Sequence, residues 1–144
     1  MTRPQEHSAG IVIYRQMKHH REYLLLHYPG GHFEFAKGHM EGKESEREAA
    51  LRELIEETGI DKIVWVEGYR HKIEYQFRHK GELIDKDVIF FLARTEQVKI
   101  QLSHEHQDAM WLRYNEALRK LTFDNAKNLL KKAENYLNNL NKKT

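Results

Sequence analysis

The sequence contains no cysteine. Disulfide bonds and zinc–thiolate sites are therefore excluded, and a reducing compartment is compatible with the composition. No apolar run approaches the roughly 18 residues needed to span a membrane. The opening residues, MTRPQEHSAG, also lack the apolar core of a secretion signal. We expect a soluble, cytoplasmic protein with no membrane partner.

A strong excess of one charge is missing as well. The chain has 24 lysines and arginines against 22 aspartates and glutamates, for a net charge of +2. A large basic surface is not implied, so we expect no nucleic-acid partner. The 10 histidines are scattered, and their spacing does not indicate a histidine metal cage. With 144 residues, the chain is expected to form one domain over 1–144, and its oligomeric state stays open.

Most of the chain has the pattern of β-strands followed by terminal helices. An unbroken apolar run at 88–93 predicts a strand buried on both faces, and clean alternation at 98–102 predicts a half-exposed strand. Polar turns predict two hairpins, one joining 8–15 to 23–27 and the other joining 63–77 to 88–93. Further short strands are expected at 33–35 and 110–112, and helices at 115–121 and 123–140.

One stretch, residues 38–60, differs from the rest. It reads GHMEGKESEREAALRELIEETGI, with a glycine at each end of a helical pattern. The spacing predicts a helix over 44–58, with Ser45 near its start and Gly59 at its C-terminal cap. On that helix Leu51, Leu54 and Ile55 share one face. The opposite face carries three carboxylates, Glu53, Glu56 and Glu57.

Three carboxylates on one helical face repel each other, at about 0.2–0.5 kcal/mol for each i,i+4 pair. For an acidic helix taken alone, a solvated surface is the ordinary interpretation. The alternative is a site for a hard cation, since carboxylate oxygens suit Mg²⁺, which is usually shared with substrate phosphates. A neighbouring arginine, Arg52, could pair with a glutamate and fix its rotamer.

The complete spacing of this stretch resembles the Nudix box. All nine specified positions match: Gly38, Glu44, Arg52, Glu53, Leu54, Glu56, Glu57, Gly59 and Ile60. The strand-rich flanks and the terminal helix fit the same family, so the resemblance covers nearly the whole chain. It implies an α+β protein with a Nudix-type α/β/α sandwich, in which a mixed sheet lies between helices.

The resemblance also implies a chemistry. Nudix enzymes hydrolyse a nucleoside diphosphate linked to another moiety, by water attack at phosphorus with a divalent metal. By that resemblance the metal is Mg²⁺, with Mn²⁺ possible, and its ligands include the Gly38 carbonyl, Glu56 and Glu57. Glu53 either binds metal or acts as general base. Arg52 orients a box carboxylate, and Glu44 supports it.

Residues outside the box resemble the asymmetric diadenosine tetraphosphate hydrolases. The resemblance lies in Lys37-Gly38-His39 and in the segment LSHEHQ at 102–107, which precedes Trp111-Leu112. It implies that Glu105 is an additional metal ligand. Polyphosphate contacts are implied for Lys37, His39 and His32, and an adenine sandwich for Tyr75 and Tyr136.

The sequence departs from this subfamily in two places. Before the box, the subfamily's Trp is replaced by Phe33 and its Pro by Ala36. Inside the box, Gly42-Lys43 replaces Pro-Gly. The expected reaction is Mg²⁺-dependent cleavage of diadenosine tetraphosphate to ATP and AMP. Two alternatives stay open. One is hydrolysis of another nucleotide, such as an RNA 5′ end, a nucleoside triphosphate or ADP-ribose. The other is a nucleotide sensor that binds without cleaving, although such sensors tend to lose box glutamates and this chain has them all.

Overall fold

A computed structural model describes residues 4–97, 99–102 and 108–142 of the chain. In these ranges the chain forms seven strands and three helices. In chain order they are β1 (Gln5–Gln16), β2 (Arg21–His27), β3 (Phe33–Glu34), β4 (Ala36–His39), α1 (Glu46–Thr58), β5 (Val64–His79), β6 (Glu82–Arg94), β7 (Asp108–Arg113), α2 (Tyr114–Lys120) and α3 (Asp124–Lys142). None of the helices in the described part of the chain is both long and apolar enough to cross a membrane.

The strands form one mixed sheet. Its main order is β3-β2-β1-β6-β5, with β4 added to β1 and β7 added to β2. The central pair, β1 and β6, is parallel, from Gln5 opposite Asp85 to Tyr14 opposite Arg94. The other pairings are antiparallel, including both hairpins that the turns predict.

Helices cover both faces of the sheet. Ala49, Ala50 and Leu54 of α1 pack on one face, and residues of α2 and α3 pack on the other. The central strand β6 serves both layers, because Val88, Phe90 and Leu92 enter one core while Ile89, Phe91 and Ala93 enter the other. The predicted α/β/α sandwich with a mixed sheet is therefore confirmed.

The strand expected at 98–102 is wrong for its described part, 99–102. The backbone N–H of Gln101 donates to the carbonyl of Thr58 at 2.8 Å, so this segment bonds to the end of α1 and has no strand partner. Its alternation still has a physical cause, because Ile100 and Leu102 pack against the core beneath α1.

The orientation of α1 also differs from the expected one. Ile55 is 40% exposed, whereas Glu57 is only 4% exposed. The buried face centres on Ala49, Ala50 and Leu54 and extends to Glu57 and Thr58. The helix is therefore rotated so that one of its carboxylates enters the protein interior.

Candidate active site

Local signals hold α1 in place at both ends. Ser45 is the N-cap and forms a capping box with Glu48, in which each side chain accepts a hydrogen bond from the other residue's backbone N–H. Gly59 ends the helix in the left-handed conformation, at φ 75°, and its N–H donates to Ile55. These contacts fix where the acidic face begins and ends.

The carboxylate of Glu53 lies directly against the backbone of Gly38. A Cβ added at Gly38 would overlap the carboxylate carbon and both carboxylate oxygens of Glu53. Glycine is therefore required here because of a close approach rather than a special backbone conformation. The Gly38 main chain and the Glu53 side chain, both predicted metal ligands, are neighbours.

Arg52 connects the predicted acidic residues. Its guanidinium forms two hydrogen bonds with the Glu44 carboxylate, at 2.7 and 3.0 Å, and one with Glu53 at 2.9 Å. It also reaches Glu56 at 3.3 Å and the backbone carbonyl of His39 at 2.9 Å. The hydrogen bonds that Arg52 donates to the Glu44 carboxylate raise the pKa of Arg52, and those to Glu53 and Glu56 add to that effect. Arg52 thus fixes the positions of the Glu44 and Glu53 carboxylates, and its orienting role and the supporting role of Glu44 stay predictions.

Glu57 is the most deeply placed carboxylate of the helix. Its Oε2 lies 3.1 Å from the Tyr28 hydroxyl, and the backbone N–H of Lys37 also donates to it. Burial raises the pKa of Glu57 to about 9, and the nearby charge of Glu53 acts in the same direction. Burial likewise raises the pKa of Glu53, although Arg52 opposes the shift.

Two carboxylates with raised pKa values therefore lie side by side beside the Gly38 backbone. Adjacent desolvated carboxylates are unfavourable when both are ionised, and a divalent cation would remove that cost. The donor set consequently fits a hard cation. Glu56 lies at the rim, with its side chain 58% exposed. No three His, Asp or Glu side chains within the described ranges already converge as metal ligands, and Glu105 lies outside the described residues.

A cavity of about 510 Å³ opens on the sheet face that α3 covers. It brings together three predicted substrate residues, His32, Lys37 and Tyr75. The Lys37 ammonium is 3.0 Å from a Glu34 oxygen and 5.9 Å from the Tyr75 ring centroid. His32 contacts the other Glu34 oxygen at 3.2 Å. The remaining lining residues are Tyr28, Phe35, Ile73, Lys86, Phe90, Phe123, Asn125, Ala126 and Leu129.

Sequence reasoning missed Lys86 and Phe123, which line the same cavity. Burial lowers the pKa of Lys86, and the positive charge of Lys37 lowers it further. The two ammonium groups are therefore close enough to interact across the cavity. The turn at Lys80-Gly81 could have located Lys86, because a tight hairpin there pairs Lys86 with Tyr75. Phe123 precedes α3 and meets the His32 ring at 5.6 Å, and no local pattern identifies it.

The structure does not bring His39 or Tyr136 into this cavity. The His39 side chain is 63% exposed and contacts Glu6 at 3.1 Å. Tyr136 donates to the carbonyl of Glu67 at 2.6 Å and lies against Gly68. Tyr75 lies seven residues after Gly68 on β5, which places the two residues about 23 Å apart along the strand. In this arrangement Tyr75 and Tyr136 cannot hold one base between them, which corrects the predicted sandwich.

Comparison with known proteins places this site in context. The NUDIX domain profile matches residues 4–133. The bis(5′-nucleosyl)-tetraphosphatase [asymmetrical] of Rattus norvegicus is 34% identical over 142 residues, covering 90% of this chain and 94% of the rat protein. The protein of the same name from Caenorhabditis elegans is 34% identical over 135 residues, with 90% and 95% covered. A crystal structure of a C. elegans Ap4A hydrolase binary complex superimposes with a TM-score of 0.84 at 33% identity, covering 93% of this chain and 98% of that one.

Proposed function

Because the chain belongs to the Nudix family, we propose that it hydrolyses dinucleoside polyphosphates, cleaving diadenosine tetraphosphate to ATP and AMP. The proposal is supported above all by two residues that line the cavity and also contact a carboxylate of α1. Tyr28 and Lys37 both line the cavity, and both contact Glu57. A polyphosphate bound along Lys37 and Lys86 would therefore reach the acidic face of α1.

The Nudix hydrolases generally use divalent metals, and we propose Mg²⁺ for this chain, with Mn²⁺ as a substitute. The Gly38 carbonyl, Glu53, Glu56 and Glu57 would hold it, together with Glu105. When bound, the cation supplies charge neutralisation of the phosphates and lowers the pKa of the attacking water.

The chain's own residues do the remaining work. We assign Glu53 as the general base, which accepts the proton of the attacking water at a carboxylate oxygen. Burial raises its pKa and so strengthens it as a base. Arg52 keeps the Glu53 carboxylate in one rotamer through the 2.9 Å hydrogen bond. Lys37 and Lys86 neutralise the polyphosphate, which is most of what a phosphoryl-transfer site must do.

The aromatic lining suggests where a base binds. Tyr75 lies at the Lys37 end of the cavity, and Phe123 lies beside His32. Stacking on one aromatic ring is worth about 1–3 kcal/mol per base. We propose that these two rings, rather than Tyr75 and Tyr136, provide the adenine contacts.

The proposal is tested by incubating the protein with diadenosine tetraphosphate and Mg²⁺ and separating the products by chromatography. ATP and AMP in equal amounts are expected, and Glu57→Gln should abolish nearly all turnover. Two molecules of ADP would contradict the proposed cleavage position. A parallel panel of CTP, capped RNA and ADP-ribose covers other Nudix substrates, and binding without turnover would indicate a sensor. The cytoplasmic localisation and the absence of a nucleic-acid partner stay predictions.

A further inference from the structure

Tyr28 occupies the boundary between the cavity and the acidic helix. It directly follows β2 and precedes the turn Pro29-Gly30-Gly31. Two backbone hydrogen bonds close this turn, one from Tyr28 N–H to the His32 carbonyl and one from Gly31 N–H to the Tyr28 carbonyl, each 2.9 Å long. The position of the Tyr28 ring is thus set by a short, closed piece of backbone.

Two contacts hold the Tyr28 side chain on its two sides. Its ring stacks on the His32 imidazole, with centroids 4.9 Å apart and planes 4° from parallel. Its hydroxyl lies 3.1 Å from Glu57 Oε2 and 3.4 Å from the Phe35 carbonyl. One end of the tyrosine therefore touches a residue of the cavity, and the other touches the buried carboxylate of α1.

We propose that Tyr28 is a positioning residue that holds the Glu57 carboxylate in its ligand orientation and links that orientation to occupancy of the cavity through His32. This inference rests on the proposed function, in which Glu57 is a metal ligand. A glutamate side chain has several rotamers, and a hydrogen bond from a fixed hydroxyl selects one of them. A phosphate group that contacts His32 would therefore also affect the position of the Tyr28 ring that stacks on it.

A purely structural role for Tyr28 makes a different prediction. If the ring only fills space, removing the hydroxyl should change neither metal affinity nor turnover. Tyr28→Phe separates the two possibilities, because it keeps the ring and its stacking on His32 and removes the hydroxyl that bonds to Glu57 and, at 3.4 Å, to the Phe35 carbonyl. Tyr69→Phe is the matched control, since the buried Tyr69 hydroxyl donates to the Leu129 carbonyl at 2.8 Å, away from α1.

The first measurement is Mn²⁺ affinity without any nucleotide, by isothermal titration calorimetry. Loss of an outer-shell partner typically weakens metal binding about 10–100-fold. We expect a loss in that range for Tyr28→Phe and a change of less than about twofold for Tyr69→Phe. Unchanged affinity in Tyr28→Phe would overturn the proposal. Because this assay uses no nucleotide, its outcome is independent of whether diadenosine tetraphosphate is the substrate.

The second measurement separates kcat from KM at saturating metal. A positioning role predicts that Tyr28→Phe lowers kcat while KM for the dinucleotide changes little. His32→Phe, which keeps a flat ring beside Tyr28, should retain the Mn²⁺ affinity that His32→Ala loses. Equal affinity in these two His32 variants would overturn the link to the cavity.

A third measurement needs no substitution, so it tests the proposal even if the Tyr28→Phe protein does not fold. The chain has 7 tyrosines, and replacing them with 3-fluorotyrosine gives resolvable ¹⁹F resonances. Titration with Mg²⁺ should shift one resonance strongly, that of the tyrosine on Glu57. A titration that moves none of them would contradict the proposal.

Discussion

Glu57 is a carboxylate that the fold buries. Its own helix carries it inward, because the apolar face of α1 continues into Glu57 and Thr58. The protein compensates with the Tyr28 hydroxyl and the Lys37 N–H, two donors that both belong to the cavity wall. A buried carboxylate lowers the stability of a folded protein, and such costs in stability are typical of functional sites.

The first prediction concerns the pH dependence of the metal-free protein. The pKa of Glu57 is about 9 in the folded state, above its ordinary unfolded value of about 4.3. Its contribution to stability is therefore complete below pH 4.3 and is lost as the pH rises toward 9. In EDTA we expect the Tm to fall from pH 6 to pH 9 in the wild type and to fall less in Glu57→Gln.

Thermal denaturation followed by circular dichroism measures this difference. Glu96→Gln is the control, because the Glu96 side chain is 88% exposed and lies far from α1 in the sequence. Parallel pH profiles for the wild type and Glu57→Gln would show that Glu57 is not the titrating group.

The second prediction concerns Gly38. An alanine there would overlap the Glu53 carboxylate, so we expect Gly38→Ala to lower activity at least as strongly as Glu53→Ala does. The overlap disappears if Glu53 is shortened. A double-mutant cycle should therefore show that Gly38→Ala destabilises the wild type but costs little in the Glu53→Ala protein. Additive changes in Tm would indicate that the clash is with the backbone instead.

At the scale of elements, α1 is set by its ends. The capping box at Ser45 and Glu48 satisfies backbone N–H groups that the first turn cannot pair internally. It also begins the helix about two turns before Arg52 and Glu53, the first residues of the acidic face. The cap thus contributes to both the stability of the helix and the placement of its acidic face.

The third prediction follows from this cap. Ser45→Ala should lower the free energy of unfolding by about 1 kcal/mol, the usual cost of losing such a cap. Chemical denaturation in urea measures the difference. Ser45→Asp keeps an N-cap acceptor and should stay close to the wild type. A Ser45→Ala protein with unchanged stability would show that packing alone fixes the start of α1.

Local patterns identified α1 and both hairpins correctly, because each depends on caps, turns and periodicity within one segment. The same reasoning was wrong at 99–102, where the backbone bonds to the end of α1 instead of to a strand. It grouped Tyr136 with Tyr75, although Tyr136 lies beside Gly68 and donates to the Glu67 carbonyl. It missed Phe123, which reaches the cavity only through the packing of α3. Alternation and composition do not encode these long-range arrangements.

At the scale of the whole molecule, the sheet separates two cores and brings the site to one edge of both. The core beneath α1 carries the carboxylates, and the core beneath α3 borders the cavity. Tyr28 and Lys37 lie where the two meet. Ligands bound at this junction would contact both layers, so their binding should stabilise the molecule as a whole.

The fourth prediction is that Mg²⁺ or Mn²⁺ raises the Tm, and does so more at pH 8.5 than at pH 6. Protons compete with the cation for Glu57, whose pKa of about 9 keeps it largely protonated at pH 6. A cation at 100 times its dissociation constant stabilises a folded protein by about 2.7 kcal/mol. Differential scanning fluorimetry with and without EDTA measures the shift, and Glu57→Gln should reduce it at both pH values. An equal shift at the two pH values would contradict proton competition at Glu57.

The parallel ladder between β1 and β6 has a consequence for biosynthesis. β1 ends at Gln16, and its partner β6 begins only at Glu82. During translation, β1, β4 and the whole of α1 are therefore synthesised before β6, the strand that completes the centre of the sheet. Contacts between segments so far apart in the sequence form slowly, because a long loop must close first. The nascent chain consequently carries its acidic helix without a finished sheet beneath it, and the site is assembled only after β6 has been synthesised.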